Sequence, residues 1–241
     1  MRVSDADLRD LERRFRETSS VEDEAAWLLE RVRLGDLPNE RLELAAFLGG
    51  VAALELTDRR GPRKPVRAWA ETLLRWGREA GVRAVLQPTH AFLANWEEES
   101  GLDCPPEVER VLVAAENWTL NPGEARRKRA ARVSGKLSNR IHKAIRTGSF
   151  VTRSSHSLGL AQQALVSCVD VLGAGTADQV EAHLRRAMRT LYWGESEGLG
   201  LFAKVSVDAL LRQELVPWAL GYRDPVRERV EARQRAEGSH P

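Results

Sequence analysis

Apolar residues return at intervals of three and four along almost the whole chain, the period of a helix with one buried face. Leu8, Leu11 and Phe15 mark a first helix behind Ser4, whose hydroxyl suits an N-cap. A second opens at Ser20, with Glu22, Asp23 and Glu24 where carboxylates favour a helix N-terminus, buries Ala25, Leu28, Leu29 and Val32, and stops near Gly35. Pro38 suits a first turn, and Leu42, Ala45, Ala46 and Leu48 follow it. Gly49-Gly50 either breaks that helix or allows a close helix–helix contact.

Residues 58–65, DRRGPRKP, hold two prolines, a glycine and no apolar residue, which predicts a connector. Beyond it, Trp69, Leu73 and Trp76 define a helix over Val66 to Ala80 that ends before Gly81. A further helix from Val82 to Glu98 contains Pro88, which kinks or splits it. Cys104-Pro105-Pro106 restarts the chain, and Val108, Val111, Leu112 and Ala115 give the next buried face up to Asn121-Pro122-Gly123. After a basic segment, Ser155 to Gly173 carries Leu158, Ala161, Leu165, Cys168, Val169 and Leu172 on so much of its circumference that it belongs at the centre of the packing. Thr176 and Gln179 form a capping-box pattern ahead of Val180, Leu184, Ala187 and Leu191. Gly194 to Gly200 is a loop, and a last long helix passes through Phe202, Val205, Leu210, Leu211 and Leu215, with Pro217 disturbing its end.

No pair of alternating β-branched runs joined by Asn-Gly or Asp-Gly is present. The expectation is an all-α protein of about ten helices, arranged as a multi-helix bundle or a short α-solenoid. The expected division is an N-terminal helical module over 1–60, a main helical domain over 66–222, and a charged tail over 223–241 that forms a solvated, fraying helix.

Charge changes this picture at one place. Between Glu124 and Arg146 stand nine Lys or Arg against one acid, a net of +8 in a chain whose formal net charge is +2, so the other residues sum to −6. Ala130, Val133, Leu137, Ile141 and Ile145 recur at 3, 4, 4 and 4 and make a core-facing line. Arg129, Arg132, Lys136, Arg140 and Lys143 recur at 3, 4, 4 and 3, one position earlier in the first four cases and two in the last. One residue is ~100° of helix rotation, so the cationic line runs beside the buried one. Ser134 and Gly135 interrupt this helix and can mark a bend. Three readings of the stripe stand together. It can pair internally with the acidic remainder, neutralise nucleic-acid phosphates, or meet an acidic protein partner. The helix has no aromatic residue for base stacking, and no helix-turn-helix, zinc-finger or RNA-binding signature accompanies it.

Catalytic and metal chemistry find little support. Ser154, Ser155, His156 and Ser157 put hydroxyls beside an imidazole, but without a G-x-S-x-G elbow, and Ser155 suits an N-cap. His90, His142, His156, His183 and His240 are dispersed, with no metal-ligand spacing, and the glycines of 194–200 follow a helix and flank two acids, unlike a phosphate cradle. No metal and no cofactor is expected. Cys104 and Cys168 lack CxxC spacing and suit free thiols in a reducing compartment. The charged start and the lack of an apolar run of ~20 residues point to a cytoplasmic location with no membrane partner. Of the seven tryptophans, Trp96 and Trp193 stand beside acidic segments and are the expected exposed interface anchors.

Three segments carry a resemblance: Leu11–Leu48 (LERRFRETSSVEDEAAWLLERVRLGDLPNERLELAAFL), Val113–Pro122 (VAAENWTLNP) and Val216–Gln234 (VPWALGYRDPVRERVEARQ). They resemble blocks in uncharacterised helical proteins common in myxobacteria, which are similar in turn to predicted helical immunity proteins of polymorphic-toxin systems. The resemblance implies an α-helical, non-enzymatic protein that binds and neutralises a toxin. Its motifs are structural, so no functional residue carries over, and the basic middle segment departs from the family. The expectation is therefore an immunity- or adaptor-like interaction protein that meets an acidic protein partner through Arg129, Arg132, Lys136, Arg140 and Lys143, with nucleic-acid binding as the alternative.

Overall fold

A computed structural model of the chain describes residues 5–57, 73–146, 153–174, 176–196 and 206–238. The described residues form eleven α-helices and no strand, as the periodicity predicts. In chain order these are α1 (Asp5–Thr18), α2 (Val21–Arg33), α3 (Asn39–Phe47), α4 (Val51–Leu56), α5 (Gly77–Ser100) and α6 (Pro106–Leu120). They continue with α7 (Glu124–Arg146), α8 (Arg153–Gly173), α9 (Ala177–Ser196), α10 (Val207–Leu220) and α11 (Pro225–Gly238). The expected connector 58–65, Ser4, Trp69, His240 and the segment 197–205 with Phe202 and Val205 lie outside the described residues.

Two compact units divide the chain. One comprises Met1–Arg63 with Leu215–Asp224, the other Lys64–Glu214 with Pro225–Pro241. The early boundary falls close to the expected one, but two later segments change places. Residues 215–222, expected in the main domain, cluster with the N-terminal helices, as do 223 and 224, and the tail from Pro225 clusters with the larger unit. Hydropathy alone does not reveal either exchange, because each depends on contacts between residues far apart in sequence.

In the smaller unit, Ser20 caps α2 by accepting a hydrogen bond from the Asp23 backbone N–H at 3.1 Å. Gly35 (φ +78°) follows the end of that helix, and the left-handed conformation there favours glycine. Gly49 (φ +89°) resolves the double glycine as a break between α3 and α4. A Cβ at Gly50 would stand 3.1 Å from the Ala45 carbonyl oxygen, so a side chain would crowd this tight turn. The returning segment is held by Arg31, whose guanidinium donates to the Leu220 carbonyl at 2.5 Å. Trp27 stacks on Phe15 and on Tyr222, with ring centroids 5.5 and 5.6 Å away, and those two rings are 6.1 Å from each other, so the three close a triangle.

In the larger unit α8 packs against α5, α6, α7 and α9, the central place its composition predicts. Ala161, Ala164, Leu165, Cys168, Val169 and Leu172 are all buried. The structure corrects the reading of Gly81 as a helix end, and Pro88 does not split its helix. One helix, α5, runs from Gly77 to Ser100 through both residues. Gly81 ends nothing, because its role is proximity: a Cβ there would meet the Leu184 Cδ2 of α9 at 3.0 Å. Thr176 and Gln179 exchange reciprocal backbone–side-chain hydrogen bonds at 3.3 Å, completing the capping box that opens α9. That helix continues to Ser196, past the Gly194 at which a loop was expected.

Candidate functional site

The basic segment folds as one unbroken helix, α7, with no interruption at Ser134-Gly135. Ala130, Leu137 and Ile141 are buried, while Val133 is half-buried and the Ile145 side chain lies outside the described set. Along the adjoining line Arg129, Arg132, Lys136, Arg140 and Lys143 are all exposed. They differ in their surroundings. Arg140 is in salt-bridge contact with Glu107 of α6. Glu124 takes up Arg127 at 2.7 Å and Lys128 at 3.7 Å, at the start of the helix. Arg129, Arg132 and Lys136 have no ion-pair or hydrogen-bond partner among the described residues. Internal pairing thus reaches Arg140 and leaves the middle of the stripe open to solvent.

A second charged constellation escaped the sequence reading and lies inside the larger unit. Glu116 of α6 and Glu214 of α10 are both 0% exposed. Arg229 of α11 bridges them, with Nε 3.0 Å from Glu116 and Nη1 2.9 Å from Glu214, and it also donates to the Gln87 side-chain carbonyl at 2.9 Å. Arg233, one turn later, reaches the other Glu116 oxygen at 2.9 Å, and His90 Nε2 stands 2.9 Å from the first. Arg83, only 1% exposed, lies 3.1 Å from Glu79 and 3.9 Å from Glu214. Burial would push the Glu116 carboxyl upward. The hydrogen bond and charge of His90, with Arg233 and Arg229, outweigh it and hold the pKa at about 2. Each carboxylate meets more than one of these groups, and the network ties α11 to α5, α6 and α10.

One signal for this network was present in the sequence. Glu79, Arg83, Gln87 and His90 recur at 4, 4 and 3, a polar line along one side of the helix. Arg229 and Arg233 are likewise one turn apart. The tail is helical as expected, but it is not simply solvated: it buries Pro225, Val226 and Val230 and places both arginines on internal carboxylates.

The remaining candidates change accordingly. Trp96 is 6% exposed and is a packing residue, not an exposed anchor. The side chains of Trp193, His142 and the Ser154–Ser157 cluster lie outside the described set. Since α8 begins at Arg153, Ser155 sits inside the first turn and not at the cap. Cys104 is half-buried and Cys168 buried, both free thiols. Burial, reinforced by Glu97 and Glu109, raises the Cys104 thiol to about 11. Among the described residues no cluster of three or more His, Cys, Asp or Glu could hold a metal ion, and no helix is long and apolar enough to cross a membrane. No family model, curated protein or solved structure matches the chain.

Proposed function

We propose that this chain is an interaction protein of the immunity or adaptor kind, which meets an acidic protein partner through α7 and works by binding without catalysis. One observation carries the reading: Arg129, Arg132 and Lys136 are exposed, in line, and without a partner among the described residues. A row of cations anchored beside buried Ala130, Leu137 and Ile141 is held in register, so less order has to be imposed on binding. Unpaired like charges in such a row repel one another, and a partner carrying carboxylates relieves that repulsion.

The test is charge reversal in the intact chain. Arg129→Glu, Arg132→Glu and Lys136→Glu together should weaken binding of an acidic polypeptide, poly-glutamate being the simplest probe, at least ~10-fold. Far-ultraviolet circular dichroism and the melting temperature should stay close to wild type. Unchanged affinity would refute the reading. Tighter retention of a DNA duplex than of poly-glutamate by the wild-type protein, with log affinity falling steeply against log salt, would replace it with nucleic-acid binding.

A further inference from the structure

A groove of about 630 Å³ runs along α7 within the larger unit, lined also by α6 and α11. Each helix contributes residues at helical spacing: Arg110, Val113, Ala114 and Asn117 from α6, Arg126, Arg129 and Val133 from α7, and Val230, Arg233, Gln234 and Glu237 from α11, with Glu109 at the rim. Its floor is aliphatic. Ala114 and Val230 are buried at 8% exposure each, and Val113 and Val133 are half-buried. Its walls are mainly cationic, with four arginines against two glutamates. Arg110 and Arg129 have no partner among the described residues, while Arg126 donates to the Asn121 carbonyl at 3.2 Å. Arg233 is fixed from behind by Glu116, so the α11 wall is rigid.

From this we infer that the groove holds an acidic segment of the partner protein, with an aliphatic side chain on the Val113–Ala114–Val133–Val230 floor and carboxylates on Arg110, Arg126 and Arg129. The inference rests on the reading of α7 as a partner surface and deepens it by naming the seat. Charge complementarity selects an acidic occupant. The aliphatic floor selects a polypeptide over nucleic acid: among the described residues no aromatic ring lines the groove for base stacking, and Glu109 and Glu237 would face a phosphate chain with like charge. Rotation of ~100° per residue places Arg126, Arg129 and Val133 within one ~60° arc of α7. Arg132 lies ~60° beyond Arg129, away from that arc, which makes the two halves of the basic surface separable by mutation.

The experiment uses the full chain and two fluorescein-labelled peptides, one of glutamates with leucine at every fourth position and one of glutamates alone, read by fluorescence anisotropy. The leucine-bearing peptide should bind the wild type more tightly. Arg110→Glu with Arg126→Glu should weaken it ~10-fold, whereas Arg132→Glu with Lys136→Glu should weaken it only about 2-fold, through the long-range field. All four substituted residues are exposed. Circular dichroism identifies any variant that fails to fold, and Arg110→Gln with Arg126→Gln then replaces it, with a smaller loss in the same direction. Equal affinity for the two peptides overturns the aliphatic seat. Loss confined to Arg132→Glu with Lys136→Glu overturns the groove and leaves α7 as the partner surface. Absence of binding by either peptide overturns both.

Discussion

At Glu116 the cost of burying a charge and the gain from pairing it meet on one carboxyl group. Transferred alone into the interior it would neutralise, yet His90, Arg229 and Arg233 keep it ionised down to about 2, from an ordinary value of 4.5. A carboxylate whose pKa is lower in the folded than in the unfolded chain contributes stability that is complete above the unfolded value. That stability is lost as pH falls toward the folded value. The window here is pH 4.5 to about 2, and the amount is ~3 kcal/mol at 1.36 kcal/mol per pKa unit. Glu116→Gln removes the charge and leaves Arg229 and Arg233 under-compensated. Breaking a buried pair from one side costs about 3–5 kcal/mol, even where replacing the whole network with apolar residues would be neutral. Urea denaturation should therefore show a loss of this size at pH 7, with a pH dependence between 4.5 and 2 flatter than that of the wild type. A wild-type profile with no fall in that window would contradict the network.

At the scale of the element, α7 is held by its apolar line and spans Gly135 without a break. That glycine is exposed, and a Cβ added to it would meet nothing within 4 Å. Gly135→Ala should thus stabilise the chain by ~0.5–1 kcal/mol through lower entropy of the unfolded state, read from the urea midpoint. Destabilisation would mean that the helix bends there. Most helices and caps were legible in the sequence because apolar spacing and capping chemistry are local: Ser20 and Thr176 both cap as their neighbours predict. Gly81 misled for a local reason too, since glycine is a helix breaker in isolation. At Gly81 a tertiary contact, the approach of Leu184, overrides that tendency. The α7 stripe was legible as geometry, though only the fold separates Arg140, taken by Glu107, from the open Arg129, Arg132 and Lys136. The Glu116–Arg229–Glu214 network was hidden because pattern reading assigns charges to solvent, and its members come from four helices. The groove was hidden likewise, being made by faces of three helices, none of which is unusual alone.

Across the whole molecule the net charge of +2 conceals opposed regions, +8 within residues 124–146 and −6 elsewhere. A uniform protein of that net charge would barely steer an acidic partner. A concentrated field does so within a Debye length, about 10 Å at 0.1 M salt. Steering acts before contact, so it belongs to the association rate, whereas the aliphatic floor of the groove acts after contact and sets the dissociation rate. Raising the salt from about 0.02 to 0.3 M should therefore slow association of the leucine-bearing acidic peptide ~10-fold and change its dissociation by less than ~3-fold, in stopped-flow anisotropy. The same comparison on Arg129→Glu/Arg132→Glu/Lys136→Glu should give a flattened salt dependence, since three reversals remove six of the eight net charges of α7. If salt acted mainly on dissociation, the arginines would be working as desolvated contact pairs, and charge segregation would have no steering role. If neither rate responded to salt, the aliphatic floor would be the whole of the recognition and the stripe a solvated face.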